Sequence, residues 1–180
     1  MRAGLLVLSL AACGGATPAP ASHPTDAHHG PTGEIVGLTT RAEIESEFPA
    51  WREAIATATF DADAAAQLAR VAPGAEVDVL LGTWCGDSRR EISRLFRALE
   101  RAESIAPRPF AIRFIGVDRA KTAPGLTDGI GLRYVPTLIV RREGVELGRI
   151  VESAPDGVDR SLLGLLDGSR SGVISGRTDL

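Results

Sequence analysis

The stretch 76–103 constrains the fold of this chain more than any other part of the sequence. Residues 76–82 are rich in β-branched and other apolar side chains, which predicts a strand that runs into the core. Residues 88–103 then repeat apolar side chains at helical spacing, namely Ile92, Leu95, Phe96 and Leu99. A buried strand that leads within a few residues into an amphipathic helix is typical of an α/β protein.

The other predicted elements extend this unit into an α/β sandwich with a mixed sheet. Thr40 and Glu43 have the spacing of a capping box, so a helix is predicted to begin there and to be interrupted near Pro49. Further helices are predicted at 61–71 and 159–166, and strands at 34–38, 110–117, 137–142 and 145–151. The strand–helix–strand order predicts parallel pairing, whereas a Glu143–Gly144 turn predicts an antiparallel hairpin.

The predicted domain boundaries follow from where this pattern starts and stops. Residues 34–170 are predicted to form one domain, and the mainly polar residues 171–180 a frayed C-terminal tail. Residues 13–33 consist mostly of small, polar and proline residues, so they are predicted to be a flexible linker. The linker histidines His23, His28 and His29 are interpreted as solvated residues, and capture of a metal ion is the alternative.

Residues 1–12 have the character of a secretory signal peptide: a positively charged start, an apolar run, and small residues before Cys13. This order resembles the lipobox of bacterial lipoproteins, and the resemblance implies that Cys13 is the lipidated first residue of the mature protein. Gly14, by resemblance to Gram-negative lipoproteins, implies a location on the periplasmic face of the outer membrane. The alternative for this stretch is a buried strand or a disordered start.

Composition excludes several classes of protein. The 180 residues include 20 basic and 23 acidic side chains, so the formal charge of −3 gives no positive excess for binding nucleic acid. No apolar stretch is long enough for a membrane-spanning helix. Two cysteines are too few for a disulfide-rich scaffold or a four-cysteine zinc site, and no histidine follows His29. No metal and no cofactor is therefore predicted in the domain.

The chemistry is predicted to lie in the segment Thr-Trp-Cys-Gly-Asp-Ser at 83–88. Cys85 would stand at a helix N-terminus, where free backbone amides and the helix dipole favour the nucleophilic thiolate. Trp84 would shield one side of the sulfur, and Gly86 would let a partner backbone approach. The hydroxyl of Ser88 would donate a hydrogen bond towards the sulfur.

This motif resembles that of thioredoxin-fold proteins of the Trp-Cys-Gly-x-[Cys/Ser] type. More narrowly, it is similar to bacterial thioredoxin-like proteins in which Thr-Trp-Cys-Gly-Asp-Ser is followed by Arg-Arg-Glu. The likeness resumes at Phe-Ile-Gly-Val-Asp-Arg (114–119) and Tyr-Val-Pro-Thr (134–137), and covers roughly residues 51–166. It implies a thioredoxin-like fold with a central mixed sheet flanked by helices. It also implies that Pro136 is a cis-proline facing Cys85 and that the Val135 backbone pairs with an extended substrate segment.

Three departures limit what the resemblance implies. Ser88 stands where a dithiol thioredoxin has its resolving cysteine, so no disulfide can close within the motif. Val79 stands where such proteins have a buried aspartate, and the neighbouring Asp78 is expected on the opposite face of the strand. Ser93 stands where the family has a mid-helix proline, so a straighter helix is expected. With Cys13 lipidated, the motif cysteine is the one thiol left in the mature chain.

The charged residues beside the motif each have two interpretations. Asp87 either stabilises the first helical turn or opposes the thiolate through its own charge. Arg89 and Arg90 either belong to a solvated helix face or favour the thiolate and an anionic thiol such as glutathione. The sequence leaves both alternatives open.

Two functions are predicted as alternatives. The first is an envelope-anchored monothiol protein that exchanges disulfides with protein or small-molecule thiols through a mixed disulfide at Cys85. The second is a non-enzymatic module in which the groove beside Pro136 binds extended peptides. Metal or iron–sulfur binding through Cys85 is disfavoured, because one cysteine would need glutathione and a second subunit. The predicted partners are thiols, disulfides and, through the lipid on Cys13, a membrane; nucleic acid is not among them.

Overall fold

The structure, a computed structural model, describes residues 27–180. Its strands are β1 (His28–His29), β2 (Ile35–Thr39), β3 (Ala75–Leu81), β4 (Ala111–Gly116), β5 (Thr137–Arg142), β6 (Val145–Val151) and β7 (Gly172–Ser175). They form one sheet in the order β1-β2-β4-β3-β5-β6-β7. The predictions for the signal peptide, the lipidation of Cys13 and the role of His23 concern residues outside those described.

Five helices accompany the sheet: α1 (Arg41–Glu47), α2 (Pro49–Thr57), α3 (Ala62–Leu68), α4 (Gly86–Glu103) and α5 (Val158–Asp167). The predicted capping box starts α1. The Glu43 N–H donates to Thr40 Oγ1 at 3.2 Å, and the Thr40 N–H donates to the Glu43 carboxylate at 2.7 Å. Pro49 occupies the first turn of α2, where a missing N–H breaks no helical hydrogen bond. The predicted interruption between α1 and α2 is therefore confirmed.

The sheet is mixed, as predicted. β3 and β4 run parallel and are joined through α4, so their carboxyl ends meet at one edge. β5 lies antiparallel to β3 and forms the predicted hairpin with β6. Both turn residues of that hairpin, Glu143 (φ 52°) and Gly144 (φ 76°), have the left-handed backbone that matches the twist of the two strands.

The helices cover one face of this sheet. All five contribute to the main core, whose largest fully buried side chains include Ile44, Trp51, Leu68, Ile92 and Leu162. On the opposite face, the connection 118–136 packs a second, smaller cluster over β2 and β4. This cluster contains Val36, Ile115, Val117, Ala123 and Val135. The cluster brings the end of the connection next to the end of β3.

Both predicted ends of the domain differ from the structure. The frayed tail predicted for 171–180 is wrong at Gly172–Ser175, which forms β7 and pairs parallel with β6. Only Val173 and Ile174 carry apolar bulk in this strand, so its periodicity gives little signal, and the open edge of β6 supplies the backbone partners. The predicted linker also contains a strand, because His28 and His29 pair antiparallel with β2. The folded part therefore begins before residue 34 and continues past residue 170.

Candidate active site

Cys85 lies at the edge of the sheet where the parallel strands end. It is the N-cap residue of α4, with extended backbone (φ −92°, ψ 127°). The Cys85 N–H donates to Gly82 O at 2.9 Å, and Cys85 O accepts from the Arg89 N–H at 3.0 Å. These bonds fix the residue between strand and helix, while its half-buried side chain faces another part of the chain.

That part is the loop before β5. The Val135–Pro136 peptide bond is cis, which confirms the prediction, and the Cys85 thiol donates to Val135 O with sulfur and oxygen 3.4 Å apart. Pro136 O accepts from the Glu152 N–H at 2.7 Å. Within residues 27–180, the Val135 N–H has no hydrogen-bond partner. Beside the sulfur, the loop therefore contains an acceptor that is occupied and a donor that no described residue pairs with.

Trp84 forms a wall of this site and packs, like Cys85, against the second cluster. Its Nε1 donates to Val117 O at 3.1 Å, and the guanidinium carbon of Arg119 lies 5.3 Å from the centroid of its ring. The ring also lies directly against Gly82, since a Cβ at that position would stand 2.7 Å from it. The position of the tryptophan thus requires glycine at the end of the strand.

The structure places Ser88 differently from the prediction. The residue is fully buried, and its Oγ accepts from the Gly82 N–H at 3.2 Å. Among the described residues no hydrogen bond joins Ser88 to the Cys85 sulfur, so the predicted donation to sulfur is wrong. The amide at the end of β3 is buried and needs an acceptor, and the serine hydroxyl supplies it. Ser88 therefore joins strand to helix.

Sequence reasoning missed Trp51 as part of the site's support. Trp51 Nε1 donates to Thr83 O at 2.9 Å, and Thr83 Oγ1 accepts from the Ile35 N–H at 3.3 Å. The residue two before Cys85 is thereby tied to both α2 and β2. The helical spacing of Trp51 and Ile55 indicates burial, but no pattern indicates a partner 32 residues away.

The charged residues beside the motif differ in the ion pairs that they form. Asp87 lies in the first turn of α4, and its Oδ1 stands 2.7 Å from Arg90 Nη1. Arg90 also contacts Glu91 at 3.0 Å, so its charge is shared by two carboxylates. Arg89 is exposed and forms no ion pair with any described residue. Of these two arginines, Arg89 is therefore the one whose charge no described carboxylate shares.

Strand β3, which leads into the motif, carries its aspartate on the face opposite Val79, as expected. Val79 is fully buried in the main core. Asp78 lies on the opposite face, where its carboxylate accepts from Arg113 Nε at 2.8 Å and from Arg141 Nη1 at 2.7 Å. This ion-pair cluster joins three neighbouring strands and is separate from the cysteine.

A groove of about 800 Å³ runs between α2 and α4 and begins at Gly86. Arg89, Arg90 and Arg94 line one side of it, and Thr57 and Thr59 belong to the other. Over residues 27–180, no three His, Cys, Asp or Glu side chains come together in a way that would hold a metal ion. In the same part of the chain, every helix is too short or too polar to cross a bilayer.

No protein-family model matches the chain, and neither does any curated protein. Among solved structures, the chain is similar to a protein of unknown function from Pseudomonas aeruginosa, with a TM-score of 0.50 and 15% identity over 73% of this chain and 88% of that one. It is also similar to a thioredoxin mutant from Entamoeba histolytica (TM-score 0.33, 24% identity, 63% of this chain and 100% of that one). For mitochondrial thioredoxin 3 from Saccharomyces cerevisiae, in its oxidised form, the values are 0.33, 16%, 64% and 98%.

The fold is thioredoxin-like. A parallel β3–α4–β4 unit is followed by the antiparallel pair β5–β6, with strand order β4-β3-β5-β6 and a cis-proline entering β5 opposite the start of α4. The mixed sheet and its helices agree with the predicted fold class. Cys85, Val135 and Pro136 are brought together as the resemblance implies, whereas Ser88 is bound to Gly82 and makes no hydrogen bond to the sulfur within residues 27–180.

Proposed function

We propose that this protein is a monothiol thiol–disulfide exchange protein that acts through a mixed disulfide at Cys85. The observation that carries the proposal is the contact of the Cys85 thiol with Val135 O at 3.4 Å, at the N-terminus of α4. A thioredoxin-like fold supports a redox role in general terms, and this contact gives the role a nucleophile and a docking loop.

The proposed exchange conserves electrons. The Cys85 thiolate, whose proton has passed to solvent, attacks one sulfur of a substrate disulfide. The substrate S–S bond breaks, a new S–S bond forms to Cys85, and the other substrate sulfur leaves as a thiolate. A thiolate from outside the protein then attacks the substrate sulfur of the mixed disulfide. This step restores Cys85 and forms one new disulfide for the one consumed.

The external thiol is part of the proposal because of Ser88. A hydroxyl cannot close a disulfide, and this one is buried and bound to the Gly82 N–H. Cys85 is also the one free cysteine among the described residues. The protein therefore shuffles or transfers disulfides and adducts, and it is not a net two-electron reductant by itself.

The second candidate is a module that binds extended peptides without thiol chemistry. The Val135 N–H favours it, because it has no partner among residues 27–180 and such a backbone donor can pair with a strand laid beside the loop. Cys85→Ser separates the two candidates. It leaves peptide binding intact in the second, and it removes every mixed disulfide in the first.

The exchange mechanism is tested with a peptide disulfide, with and without reduced glutathione. Without it, the protein should stop at one mixed disulfide per chain; with it, turnover should continue. Ser88→Cys should release the peptide without added thiol, by closing an intramolecular disulfide. Ser104→Cys is the matched control, because it adds the same thiol at the far end of α4, about 25 Å away. Turnover of the parent without any external thiol would contradict the mechanism.

We further propose that the protein is anchored by lipid on Cys13, at the periplasmic face of the outer membrane. The support is the signal-like sequence of residues 1–12 and the small residues before Cys13. Metabolic labelling with a fatty acid and membrane fractionation test it. Cys13→Ser should lose the label and leave the membrane fraction, whereas continued fractionation with membranes would place the anchor elsewhere.

A further inference from the structure

The residues that follow β7 fold back towards the candidate site. The Gly176 N–H donates to Ser153 O at 2.8 Å, in the connection between β6 and α5. The next amide, that of Arg177, donates to Ser175 Oγ at 3.0 Å. These bonds lead the chain from the edge of the sheet to the outer side of the loop before β5.

The Arg177 guanidinium is the centre of the contacts made there. Its Nη1 lies 2.8 Å from Glu152 Oε2, and its Nε and Nη2 bind the two Asp179 oxygens at 2.7 and 2.6 Å. Its carbon lies 4.2 Å from the centroid of the Tyr134 ring, within cation–π range. Tyr134 OH in turn donates to Asp179 Oδ2 at 3.4 Å. Arg177 thus contacts an aromatic ring and two carboxylates at once, and the Arg133 guanidinium carbon lies farther from the same ring, at 5.6 Å.

Two of these partners connect Arg177 to the active-site loop, residues 134–136: Tyr134 belongs to the loop, and Glu152 is bonded to it. Tyr134 immediately precedes Val135, whose carbonyl accepts from the Cys85 thiol. The Glu152 N–H donates to Pro136 O at 2.7 Å. Glu152 also has left-handed backbone (φ 63°), an unfavourable conformation for a residue with a Cβ, so its position depends on the contacts around it. The guanidinium therefore joins the residues on both sides of the loop.

We propose that Arg177 is a positioning residue for the chemistry of Cys85. It holds the loop so that Val135 O stays aligned with the sulfur and the Val135 N–H stays available to an extended substrate. The substrate part of this inference rests on the proposed function; the thiol–carbonyl geometry does not. Because misplacement of reacting groups by about 1 Å can slow a reaction about 100-fold, a loose loop is expected to matter most for substrates that bind it.

The test compares Arg177→Gln with Arg170→Gln. Arg170 is a second C-terminal arginine with an ion pair, to Asp156 at 2.6 Å, but it makes no contact with Tyr134 or Glu152. The first readout is the infrared S–H stretching band of Cys85, which reports the hydrogen bond to the loop. We expect the band to move towards that of an unbonded thiol in Arg177→Gln and to stay in place in Arg170→Gln.

The second readout is the rate of mixed-disulfide formation with an extended peptide disulfide and with a small neutral disulfide. Arg177→Gln should slow the peptide reaction about 10-fold and the small-molecule reaction less than about 2-fold. Arg177→Lys, which keeps the charge but not the paired hydrogen bonds to Asp179, should fall between parent and Arg177→Gln. Arg177→Lys also keeps the test open if the glutamine variant folds poorly.

An unchanged S–H band, with both rates unchanged or slowed equally, would overturn the assignment and leave Arg177 as a surface ion pair. Failure of the parent protein to react with any disulfide would instead overturn the proposed function. In that case, comparison of the S–H bands of Arg177→Gln and Arg170→Gln would still show whether Arg177 positions the loop.

Discussion

The two walls of the candidate site are held by different parts of the chain. The first wall, residues 82–88, is held by local bonds of Gly82 to Ser88 and Cys85, and by bonds of Thr83 and Trp84 to residues that all precede position 118. The second wall, residues 134–136, is held by Glu152 and by contacts that reach Asp179, 45 residues from Tyr134. The nucleophile is therefore positioned by the β3–α4 unit and the elements before residue 118, whereas the docking loop depends on the connection after β6 and the residues after β7.

The largest effect is expected at the first wall, where a glycine is essential. In Gly82→Ala the new methyl group would meet the Trp84 ring at 2.7 Å, so the ring or the strand end must move. We expect the free energy of unfolding to fall by about 2 kcal/mol, measured by denaturant titration. Gly86→Ala is the control, because its added Cβ would have no atom within 4 Å apart from its chain neighbours and the backbone of its own helix. Equal stability of the two variants would show that Trp84 does not depend on Gly82.

A smaller effect is expected from loss of the hydrogen bond that Trp51 donates to the first wall. Trp51→Phe keeps the aromatic bulk in the core but leaves Thr83 O without its donor. A buried acceptor left unpaired is expected to lower the free energy of unfolding by about 1 to 2 kcal/mol. The same denaturant titration measures it. A variant as stable as the parent would mean that the bond from Trp51 does not stabilise the first wall.

The same contrast explains how much the sequence predicts. The apolar pattern of β3 and α4 places Cys85 at a helix N-terminus, and the resemblance of the motif to thioredoxin-fold proteins predicts Pro136 as its neighbour. The bond of Ser88 to Gly82 was predictable only in part, because a hydroxyl in the first helical turn has several partners within reach and packing selects one. Arg177 gives no signal, since it lies in a polar stretch and a surface guanidinium leaves no periodicity.

The smallest effect is expected from protonation of Asp179, which contacts Tyr134 of the second wall. Hydrogen bonds and charge from Arg177 hold the pKa of Asp179 below its usual value of 3.8. A carboxyl with a lowered folded-state pKa stabilises the fold above its unfolded pKa, and that contribution is lost as the pH falls through the folded value. The midpoint of thermal unfolding should therefore differ slightly between parent and Asp179→Asn near neutral pH. That difference should shrink as the pH falls below about 4. A difference that is constant with pH would show that the charge of Asp179 does not contribute to the contacts that hold the loop.

The most direct test of the account is the intact mass of the Cys13→Ser variant, in which Cys85 is the one cysteine, after incubation with oxidised glutathione at several pH values. We predict rapid gain of one glutathione, its complete removal by reduced glutathione, and no gain when Cys85→Ala is added. That result would establish Cys85 as an accessible exchange thiol. No adduct, or one formed at the rate of an ordinary exposed thiol, would contradict the exchange mechanism and favour the groove beside Pro136 as a peptide-binding surface.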